Sequence, residues 1–240
     1  DNQLWVATDG GGINIISLDD FSFTNIQQKQ DDVHSFPANT IYRLYLDSAN
    51  NMWAGSIRRG LIGIRNVFAC SYQNVPFGNL YGLSNQTINS FFQDSDGMVW
   101  VGTDGGGINR FDPLTGTFKH YPSTMHEKVV SIVEYTPDEL LFSSFNEGLF
   151  IFHKQTGRVR PFVLVDKETN DRECIDGFSV NIRRVTPDKI LFSGQHIFIY
   201  DTTRRKFEIV ATMGREYERN SPLIIATVGT KTYLTDLKNI

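Results

Sequence analysis

Leu4-Trp5-Val6-Ala7-Thr8-Asp9-Gly10-Gly11-Gly12-Ile13-Asn14 returns almost unchanged as Val99-Trp100-Val101-Gly102-Thr103-Asp104-Gly105-Gly106-Gly107-Ile108-Asn109. A worn copy, Met52-Trp53-Ala54-Gly55-Ser56-Ile57-Arg58-Arg59-Gly60-Leu61-Ile62, stands between them. The tryptophans at 5, 53 and 100 are thus 48 and 47 residues apart. A period in this range marks a chain assembled from repeated supersecondary units. What recurs in every unit is scaffold; departures from the repeat are where function is sought.

The third unit is the clearest. Residues 87–92 have strand composition and lead into the turn Asp94-Ser95-Asp96-Gly97. Residues 99–103 form a second strand, Asp104-Gly105-Gly106 reverses the chain, and 108–111 form a third. Asp112-Pro113-Leu114-Thr115-Gly116 turns again into a fourth strand at 118–121, ended by Pro122. The same frame fits 41–76, 129–162 and 182–210, while the first unit lacks its opening strand and a sixth starts at Leu223. The units run approximately 1–38, 39–84, 85–125, 126–179, 180–222 and 223–240.

A four-stranded antiparallel sheet cannot bury both faces alone, so neighbours must stack, and radial stacking gives a β-propeller. The expectation is an all-β fold holding about five blades' worth of a propeller. Trp5, Trp53 and Trp100, replaced by Leu141 and Leu191 in later units, are read as packing between blades. Gly12, Gly60, Gly107 and Gly148 are read as structural turn residues.

Composition narrows the function classes. With 240 residues, 40% hydrophobic and 21% charged, the chain has the makeup of ordinary folded protein. A net charge of −4 argues against a nucleic-acid partner, which needs a basic face. No apolar run approaches the roughly 18 residues of a membrane span. No signal peptide is visible, and the chain opens in mid-phrase at Asp1, as a piece of a longer protein would. Cys70 and Cys174 lack metal-like spacing; a disulfide and two separate thiols both fit. The histidines at 34, 120, 126, 153 and 196 form no ligand motif, so neither a metal nor a cofactor is expected.

Several motifs have a structural reading that outweighs the chemical one. The glycine triplets lie between strands, whereas a phosphate-binding loop needs a following helix. Asp94-Ser95-Asp96-Gly97 opens like a calcium loop but lacks the later bidentate glutamate. Asp9 and Asp104 hold equivalent places in two units, as turn residues would, so they are not read as a glycosidase pair. Asn85-Gln86-Thr87 is a glycosylation sequon, meaningful only in a eukaryotic secreted protein.

The phrase Asp94-x-x-Gly97-x-x-Trp100-Val101-Gly102-Thr103-x-x-Gly106-Gly107-Ile108-Asn109-Arg110-Phe111-Asp112 resembles the two-component regulator propeller repeat. Ser35-Phe36-Pro37-Ala38-Asn39-Thr40-Ile41 and Gly82-Leu83-Ser84-Asn85-Gln86-Thr87-Ile88 resemble that family's linker between blades. The likeness covers 1–125 and weakens beyond. It implies a seven-bladed propeller, of which this chain is part, in the periplasmic sensing region of a Bacteroides-type hybrid histidine kinase. It also implies an oligosaccharide ligand, neighbouring propeller and sandwich domains, and a homodimeric intact protein. Membrane attachment would come through a segment absent here, as would the kinase. The segment itself is expected not to be an enzyme. The alternatives are a propeller enzyme acting on polysaccharides and a protein-interaction propeller.

In such a blade, the hairpin between the second and third strands and the connection to the next blade emerge on one face. Ligands favour loops on a rigid scaffold. The hairpin tips vary: Asp-Gly-Gly in units one and three, Ile57-Arg58-Arg59 in unit two, Phe145-Asn146-Glu147 in unit four, Gln195-His196 in unit five. Arginines in place of turn glycines suit the carboxylate or sulfate of an acidic sugar. The candidate ligand residues are Arg58, Arg59, Tyr81, Asn146, Glu147, Gln195 and His196. Tyr81 lies in the long connection 76–86, and a second long connection, 163–179, is either functional or disordered.

Overall fold

The computed structural model describes residues 2–29, 35–65, 68–72, 75–166, 172–173, 180–193, 196–212, 224–228 and 231–235. The chain forms two compact units, 1–127 and 128–240. Among the described residues, all regular structure is antiparallel sheet apart from one short 3-10 turn at Pro122–Thr124.

In the first unit, β1 (Gln3–Ala7), β2 (Ile13–Ser17) and β3 (Phe23–Ile26) form a three-stranded sheet. A four-stranded sheet follows from β4 (Ile41–Leu46), β5 (Met52–Ser56), β6 (Gly60–Arg65) and β7 (Phe68–Tyr72). Its successor holds β8 (Ile88–Gln93), β9 (Val99–Thr103), β10 (Ile108–Asp112) and β11 (Thr117–His120). Each sheet pairs its strands in chain order, and the sheets meet through their inner strands, β1 beside β4 and β4 beside β8.

The second unit repeats the pattern with β12 (Val129–Thr136), β13 (Glu139–Ser144), β14 (Gly148–His153) and β15 (Val159–Pro161). A two-stranded ladder, β16 (Leu164–Val165) and β17 (Arg172–Glu173), precedes the sheet β18 (Asn181–Thr186), β19 (Lys189–Ser193), β20 (His196–Asp201) and β21 (Lys206–Thr212). A last hairpin pairs β22 (Ile224–Val228) with β23 (Lys231–Thr235). Here too the inner strands are neighbours, β12 beside β18 and β18 beside β22. These are the blades of a partial β-propeller.

Alternation along each strand places apolar side chains on both faces, and the cores lie between sheets. Ile13, Phe36, Ala38, Ile41, Ala54 and Ile62 fill the first gap, with Trp5 and Ile15 packed against them. Trp53, Leu61, Leu83, Ile88, Val99, Val101, Phe111 and Phe118 fill the second. Trp53 meets Phe111 edge-on with ring centres 5.0 Å apart, a favoured geometry for aromatic pairs. Trp53 packs between blades, and burying such a side chain stabilises by about 2–3 kcal/mol.

The tryptophans also do something the repeat does not announce. Trp100 Nε1 donates to Asp94 Oδ2 at 2.7 Å, and Trp53 Nε1 donates to Asp47 Oδ2 at 2.9 Å. The other carboxylate oxygen caps the turn: Asp94 Oδ1 accepts from the Asp96 and Met98 amides, and Asp47 Oδ1 from Ala49 and Asn51. One aspartate thus closes the hairpin and satisfies a buried indole, which would otherwise bury an unpaired donor. In the second unit the indole is gone and so is this turn. There Thr136-Pro137-Asp138-Glu139 and Thr186-Pro187-Asp188-Lys189 join the first two strands more tightly, with Thr136 facing Glu139 and Thr186 facing Lys189.

Asp47 is held below the usual carboxylate range: burial pushes it up, but the donors from Trp53, Asn51 and Ala49 outweigh that by favouring the anion. Its stabilisation is therefore present above the unfolded value, about 3.9, and is lost as the pH falls below it. Urea denaturation of Asp47→Asn is expected to give a flatter loss of stability below about pH 4 than the parent chain. At neutral pH, Asp94→Ala is expected to cost about 2–3 kcal/mol in the same measurement, because three donors lose their acceptor.

The glycine triplet provides a second test. A Cβ at Gly107, where φ is +72°, would stand 2.2 Å from the Thr124 carbonyl oxygen, whereas at Gly105, φ +86°, it would meet nothing within 4 Å. Gly107→Ala should destabilise by roughly 3 kcal/mol or more. Gly105→Ala should cost only the left-handed backbone term, about 1 kcal/mol.

Candidate functional site

The tips of the hairpins between second and third strands are locked to the connections between blades. Gly12, Gly60 and Gly107 each donate their amide to the second residue before the next sheet's first strand, at Asn39 (2.7 Å), Gln86 (2.9 Å) and Glu127 (3.1 Å). The tip also bonds the connection entering its own sheet, Ile57 N to Thr40 O and Asp104 N to Thr87 O. Thr8, Ser56 and Thr103 close the hairpin from inside, each hydroxyl donating to the carbonyl of Gly12, Gly60 or Gly107. The corresponding Ser144 and Ser193 of the second unit are buried with their hydroxyls unpartnered.

On this shared frame, the tip of the second sheet stands apart. Arg58 holds φ +64°, the place of Gly10 (+88°) and Gly105 (+86°) in the other copies. A left-handed conformation costs a residue with a Cβ roughly 1–2 kcal/mol. Arg58 and Arg59 are both exposed. In the third sheet the position matching Arg59 is closed, because a Cβ at Gly106 would lie 2.6 Å from Asn85 Cβ. There Ser84 Oγ donates to Gly106 O and Asn85 Nδ2 to Asp104 O, so the connection lies flat on the tip. The second sheet has Pro37 and Ala38 at the matching places, without those polar side chains.

In the second unit Asn146 and Glu147 are exposed at the β13–β14 tip, with Asn146 at φ +68°. Phe145 donates its amide to Lys128 O, and the Lys128 ammonium stands 5.8 Å from the Phe145 ring centre. Gln195 lies outside the described residues, as does the side chain of His196, which opens β20.

Tyr81 does not share the tip. Its connection runs along the free edge of β11: Phe118 N donates to Leu80 O, and Gly78 N to His120 Nδ1 at 2.9 Å. Because Nδ1 accepts, Nε2 carries the proton and donates to Gly82 O at 2.8 Å. The connection thus covers a strand edge that would otherwise be open to pairing. The 163–179 connection behaves alike as far as it is described, since its β16–β17 ladder packs beside β21. Cys174 lies outside the described residues.

The other motifs resolve as structure. Both oxygens of Asp94 accept N–H groups, an arrangement suited to a turn and not to calcium. Among the described residues no group of three or more His, Cys, Asp or Glu is placed to hold a metal. Asn85 uses its side chain within the fold, donating to Asp104 O and accepting from Thr87 N. The carboxylate–indole bond went unread in the sequence, although Asp47 and Asp94 both lie six residues before a tryptophan.

The chain matches the family described as two component regulator propeller over residues 35–58 and 82–105. No curated protein matches it significantly. Among solved structures, it is similar to the extracellular domain of a B. thetaiotaomicron protein assigned to a hybrid two component system, with TM-score 0.63 and 20% identity. That match covers 93% of this chain and 36% of the other, so the chain spans about a third of that domain. Virginiamycin B lyase from Staphylococcus aureus gives TM-score 0.68 at 14% identity, covering 98% of this chain and 74% of the lyase. PorZ, a surface component of the type-IX secretion system of Porphyromonas gingivalis, gives 0.65 at 12%, covering 97% and 36%. At such identities the likeness carries fold and not chemistry. The chain is therefore a stretch of β-propeller, two segments of which, 35–58 and 82–105, match the two component regulator propeller.

Proposed function

We propose that this chain is an extracytoplasmic sensing segment of a hybrid two-component regulatory system, binding glycan-derived oligosaccharides without altering them. The observation that carries the sensor reading is the match of two repeats to the regulator propeller family. The kinase that reads the signal lies outside this chain, and the periplasm is the compartment that suits such a sensor. Neighbouring domains and a second protomer are the expected partners of the intact protein.

Ligand contact is assigned first to the tip of the second sheet. Arg58 is an exposed arginine kept in a left-handed conformation that glycine fills in two sister tips. A strained residue retained at a stability cost is a pointer to function. Two guanidinium groups on one rigid hairpin suit a carboxylate or sulfate through paired charge-assisted hydrogen bonds. The likeness to a lyase does not favour an enzyme here, since a propeller hosts unrelated chemistries.

Calorimetry of the purified chain against acidic and neutral oligosaccharides tests the reading. Binding is expected without release of new reducing or unsaturated ends; turnover of any glycan would overturn it. Arg58→Asn should leave the fold as stable or up to about 1 kcal/mol more stable, because asparagine tolerates this conformation, as Asn146 does. The same variant should weaken an acidic ligand by roughly tenfold or more, and unchanged binding would remove the tip from the site.

A further inference from the structure

The connection 76–84 covers the edge of β11 with main-chain atoms: Leu80 O, Gly78 N and Gly82 O make the bonds to Phe118 and His120. That task falls to the main chain, and the side chains that remain exposed are unusual. Residues 76–81 are all exposed, with Phe77 at 42%, Leu80 at 54% and Tyr81 at 75%. Edge cover does not demand this. The 163–179 connection, whose β16 strand packs beside β21, has Asp166, Lys167, Arg172 and Glu173 in its sequence, and its Asp166 is buried.

The surrounding sequence is electrically silent. Residues 66–93 contain no Asp, Glu, Lys, Arg or His, in a chain where 21% of residues are charged. The segment is rich in Asn, Gln, Ser and aromatic residues. Asn79 Oδ1 accepts from Tyr81 N, which orients the amide and leaves its Nδ2 donors outward on an exposed residue. Phe77 packs on the His120 ring with centres 5.2 Å apart, so the loop is held from both backbone and side chain.

We propose that 77–81 is a second binding site, a platform for a ring of a neutral sugar. The proposal rests on the glycan-binding reading above and adds to it a place and a ligand class distinct from the arginine tip. A sugar ring offers a face of C–H groups to an aromatic side chain and a rim of hydroxyls to amide and phenol groups. Tyr81 supplies the face, the exposed Leu80 beside it in the chain adds apolar surface, and Asn79 supplies donors to the rim. A charged ligand would find no counter-charge on 76–84 itself, and the lysine of β11, Lys119, stands 5.0 Å from the Tyr121 ring centre. A specific protein partner would need about 800 Å² on each side, more than five residues provide. Because the loop is already pinned to β11, binding does not have to order it.

The test is calorimetry of the chain with six-unit neutral gluco-, manno-, xylo- and arabino-oligosaccharides and with sulfated and uronate-bearing counterparts. Expected is binding of a neutral member that Tyr81→Ala weakens by about tenfold, the scale of one ring contact. Leu18→Ala, at an exposed position beside the first sheet, should leave that binding within about twofold. Gly78 amide exchange, read on each variant, confirms that the loop still sits on His120. Neutral-sugar binding unchanged in both Tyr81→Ala and Leu80→Ala overturns the platform while the glycan reading stands. Binding confined to anionic members overturns it in favour of the arginine tip. Failure of every member overturns both.

Discussion

The amides of Gly12, Gly60 and Gly107 reach across to Asn39, Gln86 and Glu127, just ahead of the next sheet's first strand. The Gly12 and Gly60 bonds tie together the sheets of the first unit. A four-stranded sheet has no way to bury its two faces alone, so the spacing between sheets must be set by something short and directional. The glycines hold φ of +73°, +73° and +72°, a region open to them without strain. At Gly12 a Cβ would fall 2.1 Å from Ile26 O, so the close approach as well as the dihedral excludes a side chain.

On the opposite side of the blades, the two units meet one requirement differently. In the first, Asp47 and Asp94 close the hairpin and take the buried indole N–H. Gln93 then bridges neighbouring hairpins, accepting from the Tyr45 hydroxyl and the Ser48 amide. The Tyr45 phenol is pushed up to about 12, by burial first and by the Asp47 and Asp94 charges next, so it stays a donor. In the second unit, shorter Thr-Pro-Asp turns place their carboxylate elsewhere, Asp188 accepting from the Thr186 hydroxyl, and leucine removes the indole donor. Arg184 takes over the bridging by donating to the carbonyls of Glu134, Tyr135 and Pro187. Lys154, buried, pairs with Glu134 beside it.

The tips show what a repeat makes legible. Comparing three copies of one phrase singles out Arg58 and Arg59 because each stands where a sister copy has glycine. The comparison could not say why glycine is needed at one place and dispensable at the next. The answer is contact with a distant segment: Ser84 and Asn85 press on Gly106, while nothing presses on Gly105. Tyr81 illustrates the opposite limit. Its position in a long connection between blades suggested the tip face, yet hydrogen bonds to Phe118 and His120 carry the connection down a strand edge.

By itself, the sequence determined the repeat, the four-stranded antiparallel blade and the identity of the scaffold residues. Those follow from local rules, alternation in strands and glycine or aspartate in turns, and every repetition of the phrase averages away the noise of any single copy. Tertiary structure alone decided the interlock of tip glycines with carbonyls twenty or more residues away and the course of 76–84 along β11. Each of these is a hydrogen bond between segments whose separation along the chain carries no periodic signal. Such a bond depends on where stacked sheets bring a donor and an acceptor together, and that placement exists only once the blades have packed.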